Sequence, residues 1–253
     1  LMGAGADLIA ERVGASRADC DAVAYLSHQR ALRAQHEGRF TSVVPIKTPS
    51  GSVSLDECIR PLLTAERLAA MPPAFLTLGA AGSDAVQLSQ YPELTKIAHV
   101  HTAGNSPAMC DAAAVLLVGS KMLASDQGLT PKVRIVDSVT CCGEPLEVVS
   151  GCVAATKAIL SRNKLSPSDV DVFEIHEAFA ATIVKLQREL EIDSARLNIN
   201  GGCIALGHPM GATGAIMAGT AIDELMRCDG SIGIIAASGA AGSGSALLVE
   251  RCY

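Results

Sequence analysis

The sequence predicts an α/β fold of three layers, α/β/α, with a mixed β-sheet and a helical cover region in front of it. Strand and helix patterns alternate from residue 133 onward, as in folds that carry helices on both faces of a sheet. Hydrophobic residues make up 49% of the 253 residues, aromatic residues only 3%, and Trp is absent. A hydrophobic core of this composition must be built mainly from Ala, Val, Ile and Leu side chains, which suits a sheet buried between helices. The last two strands are close in sequence, so they must pair antiparallel.

Residues 1–98 are predicted to form the cover region. Residues 3–15 predict a short helix with Leu8, Ile9 and Val13 on one side, and Ser16 is a suitable N-cap for a second helix. The polar face of the second helix is expected to face solvent; it carries Asp21, His28, Gln29, Arg30 and Arg33. Prolines make residues 40–73 irregular. Residues 76–98 are typical of an insertion with one short helix at 84–89, either a lid or an oligomer contact.

Residues 99–128 are expected to be the tail of a preceding domain, with a buried strand at Ala112 to Val118. Residues 129–253 then form the C-terminal α/β domain. Its strands are predicted at 133–139, 170–175, 232–237 and 246–249. Its helices are predicted at 149–161, 178–190 and 212–226, the second of which has one apolar face at helical spacing.

Charge and cysteine content limit the possible functions. The formal net charge is −6 with no basic run, which argues against a sequence-independent nucleic-acid surface. The longest apolar run is too short to span a bilayer, and no signal peptide is visible. The nine cysteines form no CxxC pair and have no Cys/His metal spacing. We therefore expect reduced thiols, a cytoplasmic protein and no metal site.

The loop from Asn198 to Gly214 contains several residues that constrain the backbone conformation. It holds five glycines and the His208-Pro209 step just ahead of a small-residue helix. Glycine serves where backbone turns sharply or approaches something closely, and proline biases the residue before it away from helical geometry. The loop therefore holds one imidazole, that of His208, in a set direction on a rigid strand-to-helix connection. A buried histidine in a Gly-rich strand-to-helix connection is the alternative.

Further sequence motifs indicate the family to which this loop belongs. His176-Glu-Ala-Phe179 follows an apolar strand, and Ser238-Gly-Ala-Ala-Gly-Ser-Gly244 joins the last two strands. With Thr102 to Asn105 and the Gly-His-Pro loop, these blocks resemble the signature blocks of the thiolase family in the same order. The resemblance extends over essentially the whole chain. It implies the thiolase fold with its loop domain, and an acetyl-CoA C-acyltransferase of the β-oxidation type.

The thiolase resemblance also implies roles for single residues. His208 would activate a nucleophilic cysteine and donate to one oxyanion, while His176 would hold the water that completes that oxyanion hole. The backbone N–H of Ala240, in the turn after Ser238, would line a second oxyanion hole. The implied substrate is a coenzyme A thioester, with no bound cofactor. Its contacts would be Met2, Ala103, Ala178 and Phe179.

The chain departs from the family pattern at both thiols that thiolase chemistry uses. The N-terminal half that carries the nucleophilic cysteine has no counterpart here, and none of the nine cysteines lies in that sequence context. Ser238 stands where thiolases carry their acid/base cysteine. A thiol with a pKa near 8.5 exchanges protons near neutral pH, whereas a serine hydroxyl needs a dedicated base. We therefore expect the chain alone to be impaired.

Three functions remain open on the sequence. The first is a thiolase acting on 3-ketoacyl-CoA in fatty-acid or related lipid degradation, either thiolytically or by condensation. The second is a non-catalytic thiolase-like subunit that binds acyl-CoA, and the third is a thiolase-like carbon–carbon lyase. We expect a homo-oligomer or a partner chain that supplies the missing half. The acyl chain is not specified by the sequence.

Overall fold

The C-terminal half of the chain is built on one four-stranded sheet. A computed structural model describes residues 1–253. The sheet has the order β3-β6-β5-β4, formed by Val133–Cys142 (β3), Val172–Ile175 (β4), Ile232–Ser238 (β5) and Ser243–Arg251 (β6). β4 and β5 run parallel, whereas β6 is antiparallel to both β5 and β3. The mixed sheet and its antiparallel last pair confirm the sequence prediction.

Helices cover both faces of this sheet, which confirms three layers. Because side chains alternate along a strand, successive residues of β4 enter different cores. Phe173 lies in a core with side chains of Gly151–Arg162 (α7) and Ala180–Leu190 (α8). Val172 lies in the core of the opposite face, with side chains of Cys203–Leu206 (α9) and Thr213–Cys228 (α10).

The cover region packs on α8 rather than on the sheet. Met2–Val13 (α1) ends at Gly14 in a left-handed conformation, and Ser16 and Asp19 form a capping box for Arg17–His36 (α2). The two helices form a second apolar core with α8. The predicted N-cap at Ser16 is thus confirmed. The remaining elements are short: Ile46–Thr48 (β1), Gly51–Val53 (β2), Ala65–Ala69 (α3), Leu76–Leu78 (α4), Asp84–Gln90 (α5) and Lys121–Asp126 (α6).

The prediction of a solvated polar face on α2 was wrong for Asp21 and His28, whereas Arg33 is exposed as predicted. His28 and Asp21 are buried, and Arg30 donates to the carbonyls of Ser194 and Leu197. Asp21 accepts from Arg17 and from the amide of Asn105. These polar groups can be buried because each finds a partner on another segment.

The prediction of a buried strand at Ala112 to Val118 was also wrong. This segment forms no strand, and Val115 is 95% and Leu117 81% exposed. A strand needs a neighbour for its backbone groups, and no strand of these 253 residues pairs with it.

None of the helices has both the length and the apolar character needed to span a membrane.

Phe173→Ala should lower the free energy of unfolding by about 3–5 kcal/mol, because it opens a cavity in a fully closed core. The matched control is Val115→Ala, which should change stability by less than about 0.5 kcal/mol since Val115 is exposed. Urea unfolding followed by circular dichroism measures both. Equal losses in the two variants would contradict this assignment of core and surface.

Candidate functional site

His176 is placed by the end of β4. Its backbone N–H continues the parallel ladder and donates to the carbonyl of Ala236 at 2.8 Å. Ser238 ends β5, the next strand, so the two residues leave the sheet at the same edge. The carboxyl ends of parallel strands are where α/β folds form their sites.

The Gly-rich loop brings His208 against His176. The centroids of the two imidazoles lie 4.5 Å apart, at an interplanar angle of 41°. The backbone N–H of His208 donates to the carbonyl of Ala108, and its Nδ1 lies 2.8 Å from Thr213 Oγ1. These contacts fix the loop to the 99–110 segment and orient the ring, with Nε2 left free of the Thr213 contact.

Gly207 is required by this geometry. Its φ is +90°, a conformation that residues with a Cβ rarely adopt. An added Cβ would lie 2.5 Å from Cys110 Sγ and 3.1 Å from Cys58 Sγ. The glycine thus lets the loop pass directly beside two thiols.

The Ser238 turn carries the third predicted catalytic position. The backbone N–H of Gly239 donates to Ser243 O at 2.8 Å, so it is not available for a ligand. That leaves Ala240 as the oxyanion-hole candidate within this turn. The Ser238 hydroxyl oxygen accepts the backbone N–H of Cys152 at 2.9 Å, which fastens the start of α7 to the turn.

Burial keeps both imidazoles neutral. His176 is only 4% exposed, and burial lowers its pKa to about 4, with the neighbouring His208 adding to the shift. Burial also lowers the pKa of His208. An unprotonated imidazole can accept a proton, which a general base requires, but a pKa of about 4 makes His176 a weak base at pH 7.

Glu177 holds the loops around the two histidines together. Its carboxylate accepts from Ser27 Oγ at 2.8 Å, from Asn198 Nδ2 at 3.1 Å and from the backbone N–H of Ile204 at 2.9 Å. These donors come from α2, from the start of the Gly-rich loop and from α9. Burial raises the pKa of Glu177, and the three hydrogen bonds oppose that rise.

The four residues predicted to contact coenzyme A lie on segments that come together near Phe75 and Phe179. Phe179 packs edge-on against Phe75 at 5.8 Å between centroids, and Gly3, next to Met2, lies against the same Phe75 ring. The Ala180 N–H donates to the carbonyl of Asn105, which brings the 103–105 loop beside Ala178 and Phe179. Ala103 is exposed, whereas Ala178 is buried.

Sequence reasoning missed the thiols around His208. The sulfur of Cys203 and ring nitrogens of His176 and His208 all lie within 4.8 Å of one another. Cys58 and Cys110 lie beside Gly207. Linear spacing gave no sign of this cluster because His176 lies on a different segment from Cys203 and His208. The one available signal was a cysteine inside the loop that carries His208.

Two family models match the chain. The model of the thiolase C-terminal domain matches residues 129–251, and that of the thiolase N-terminal domain matches residues 1–90. The expectation that the N-terminal half has no counterpart in this chain is therefore not confirmed. Among curated relatives, the 3-oxoadipyl-CoA/3-oxo-5,6-dehydrosuberyl-CoA thiolase of Escherichia coli (strain K12) is 37% identical over 97% of this chain and 58% of its own length. The 3-ketoacyl-CoA thiolase of Cronobacter sakazakii is 36% identical over 99% of this chain and 62% of its own length.

Solved structures of similar proteins agree with the fold. The Bacillus anthracis acetyl-CoA acetyltransferase superposes with a TM-score of 0.84 at 34% identity, over 100% of this chain and 60% of that one. The human mitochondrial 3-ketoacyl-CoA thiolase in complex with CoA gives a TM-score of 0.84 at 29% identity, over 99% and 59%. The chain thus spans about 60% of the length of the proteins it matches.

His176 should titrate near pH 4 in an NMR pH series, assigned with the His176→Asn variant. Above pH 6.5 its ring is neutral in both folded and unfolded chains, so its contribution to stability is complete. As the pH falls towards 4 the unfolded chain is protonated first, and that contribution declines by an amount on the order of 3 kcal/mol. His176→Asn should therefore reduce the loss of stability between pH 6.5 and 4. Parallel pH profiles for the two proteins would contradict the burial of this ring.

Proposed function

The chain belongs to the thiolase family, and we propose that it forms part of a thiolase-type acyltransferase acting on 3-ketoacyl-CoA. The reaction is thiolytic cleavage, or condensation with CoA as product, in fatty-acid or related lipid degradation. The observation that carries this proposal is the pair of imidazoles at the carboxyl edge of β4 and β5, with ring centroids 4.5 Å apart, of which His176 is buried and His208 partly buried.

His208 is proposed as the general base. With Nδ1 held at Thr213 Oγ1, its Nε2 is free to take the proton of an attacking thiol. The lowered pKa of His208 supports this role, because the ring is unprotonated at neutral pH and can accept that proton.

His176 and Ala240 are proposed as oxyanion-stabilising groups. Neither ring nitrogen of His176 has a hydrogen-bond partner within the protein. The ring can therefore hold a water or donate to a developing oxyanion without breaking an existing bond. Ala240 would donate its backbone N–H from the turn after Ser238. Donors fixed in advance in a dry site stabilise developing charge strongly.

Cys203 does not fit the role of nucleophile, although it lies beside both histidines. Burial raises the pKa of its thiol well above the usual range, and Glu177 and Glu174 contribute to the rise. The thiolate is the reactive form, so a buried thiol of raised pKa is a poor nucleophile. We propose that the nucleophilic cysteine comes from polypeptide outside these 253 residues.

An exposed apolar surface supports a partner for this chain. Eight of the 16 residues of α10 are buried, and Met226 is its one exposed large apolar side chain. The exposed surface lies instead on the 112–118 segment, where large apolar side chains reach solvent; they are Val115, Leu116, Leu117 and Val118. Apolar surfaces of this kind mark interfaces. The proposed occupant is an N-terminal thiolase half or a second copy of this chain. Nine free cysteines support a reducing, cytoplasmic location.

The bond from Cys152 N–H to the Ser238 hydroxyl favours a second candidate function. The oxygen accepts a structural hydrogen bond and has no base assigned to it, so Ser238 serves the turn rather than proton transfer. A non-catalytic subunit that binds acyl-CoA would retain every other feature of the site. A carbon–carbon lyase that needs no acid/base thiol is the remaining alternative.

Acetoacetyl-CoA should bind to the chain in titration calorimetry, even where turnover is absent. Ala103→Phe should weaken this binding by at least about tenfold, since a ring at the exposed loop beside Phe179 would occupy the pantetheine path. The control is Ala113→Phe, an equal change on another exposed segment, which should leave binding unchanged. Absence of binding at millimolar ligand would refute the acyl-CoA site.

Ser238→Cys should raise thiolysis of acetoacetyl-CoA when the chain is supplied with an N-terminal thiolase half carrying the nucleophile. The expected gain is about 10²–10⁴, the contribution of one general acid/base. Without that half neither protein should turn over. His208→Ala in the Ser238→Cys background should abolish the gain. If the Ser238 protein is already as active as the variant, the acid/base thiol is not needed and the lyase becomes the better assignment.

A further inference from the structure

Three side chains with metal-binding atoms converge beside the Ser238 turn. Ring nitrogens of His176 and His208 and the sulfur of Cys203 lie within 4.8 Å of one another. They come from three segments: the end of β4, the start of α9 and the Gly-His-Pro step. A tetrahedral zinc site with bonds of 2.0–2.1 Å to nitrogen and 2.3 Å to sulfur separates its ligand atoms by about 3.3–3.6 Å. Each pair therefore has to close by no more than about 1.5 Å.

The environment of the two histidines fits metal ligation. His176 is buried, and neither of its ring nitrogens makes a hydrogen bond of ordinary geometry, although the backbone of Ser238 approaches the ring. A buried polar atom without a partner costs about 1–3 kcal/mol, and coordination of a metal would remove that cost. His208 already makes the outer contact that metal-bound histidines make, because Thr213 Oγ1 lies 2.8 Å from Nδ1 and leaves Nε2 for a metal.

We propose that His176, Cys203 and His208 form a binding site for Zn²⁺, with the fourth position open. Two imidazole nitrogens and one thiolate are a donor set that suits zinc, and three protein ligands leave one place for water or an external thiol. On binding, Zn²⁺ replaces the thiol proton of Cys203, which passes to solvent. None of the roles proposed for acyl transfer uses Cys203, so this site goes beyond the proposed function. Bound zinc would occupy both histidines and block that reaction.

Cobalt provides a direct test of the three ligands. The intact chain is stripped with a chelator, kept reduced with a phosphine, and titrated with Co²⁺ and then Zn²⁺. One equivalent of Co²⁺ should produce d–d bands of tetrahedral intensity and a thiolate-to-cobalt charge-transfer band. Zn²⁺ should displace both. Absence of a saturable one-to-one complex overturns the proposal.

Cys203→Ala separates this site from the other eight cysteines. It should remove the charge-transfer band and weaken Zn²⁺ binding by about 100-fold or more, beyond the 10–100-fold cost of an outer-shell change. The matched control is Cys20→Ala, a change at another fully buried cysteine, which should leave band and affinity unchanged. Circular dichroism of each variant verifies the fold. Retention of the band in Cys203→Ala, or its loss in folded Cys20→Ala, overturns the assignment.

Thr213→Val tests the orientation of His208. It removes the oxygen beside Nδ1 while keeping the side chain's shape, so it should weaken Zn²⁺ binding by about 10–100-fold and preserve the charge-transfer band. An unchanged affinity would exclude His208 as a ligand held through Thr213. Calorimetry with acetoacetyl-CoA on the metal-free protein gives an independent result, so failure of the zinc site and failure of the acyl-CoA site are distinguished.

Discussion

The buried carboxyl group of Glu177 is the interaction on which the candidate site depends. It accepts hydrogen bonds from the cover helix α2, from Asn198 and from the backbone of α9, and it directly follows His176 in the chain. Loss of this carboxyl would leave Ser27 Oγ and the backbone N–H of Ile204 without their acceptor, each at a cost of about 1–3 kcal/mol, and would leave the Asn198 amide with its bond to the Ile175 carbonyl. One side chain thus fixes the relative position of both histidine-bearing loops and attaches the cover region to them.

The sheet supplies the second constraint, because it delivers two chain segments to one edge. β4 and β5 run parallel, so His176 and Ser238 emerge side by side, and the antiparallel β6 returns the chain after a tight turn. The apolar faces of the sheet are closed by α7 and α8 on one side and by α9 and α10 on the other. Loops that are anchored on rigid strands and helices are positioned more precisely than loops that are anchored only on other loops.

Burial decides the chemistry that this edge can support. It keeps His176 and His208 neutral, and it holds the Cys203 thiol in its protonated form. Neutral imidazoles can act as bases or as metal ligands, whereas a protonated thiol is a poor nucleophile. The same dry environment keeps both imidazoles available as bases or metal ligands, and it disfavours Cys203 as an acyl carrier. Zinc binding by Cys203 requires loss of the thiol proton against its raised pKa.

The elements after residue 133 and their order follow from the sequence pattern. Periodicity located the strands and helices after residue 133, Ser16 gave the start of α2, and the short last turn required the antiparallel pair. These features depend on local geometry and on alternation along the chain, which a sequence displays directly.

The contacts between those elements are set by the tertiary structure and could not be predicted from the sequence. The polar face of α2 looked solvated because its partners, such as Asn105 and Ser194, are distant in sequence. Ala112 to Val118 looked like a buried strand because apolar character does not say whether a neighbouring strand is present. His176 joins Cys203 and His208 in the structure although it lies on a different segment of the chain. Burial, strand pairing and side-chain clustering depend on which distant segments come together in space. The order of residues along the chain does not give the spatial distance between those segments.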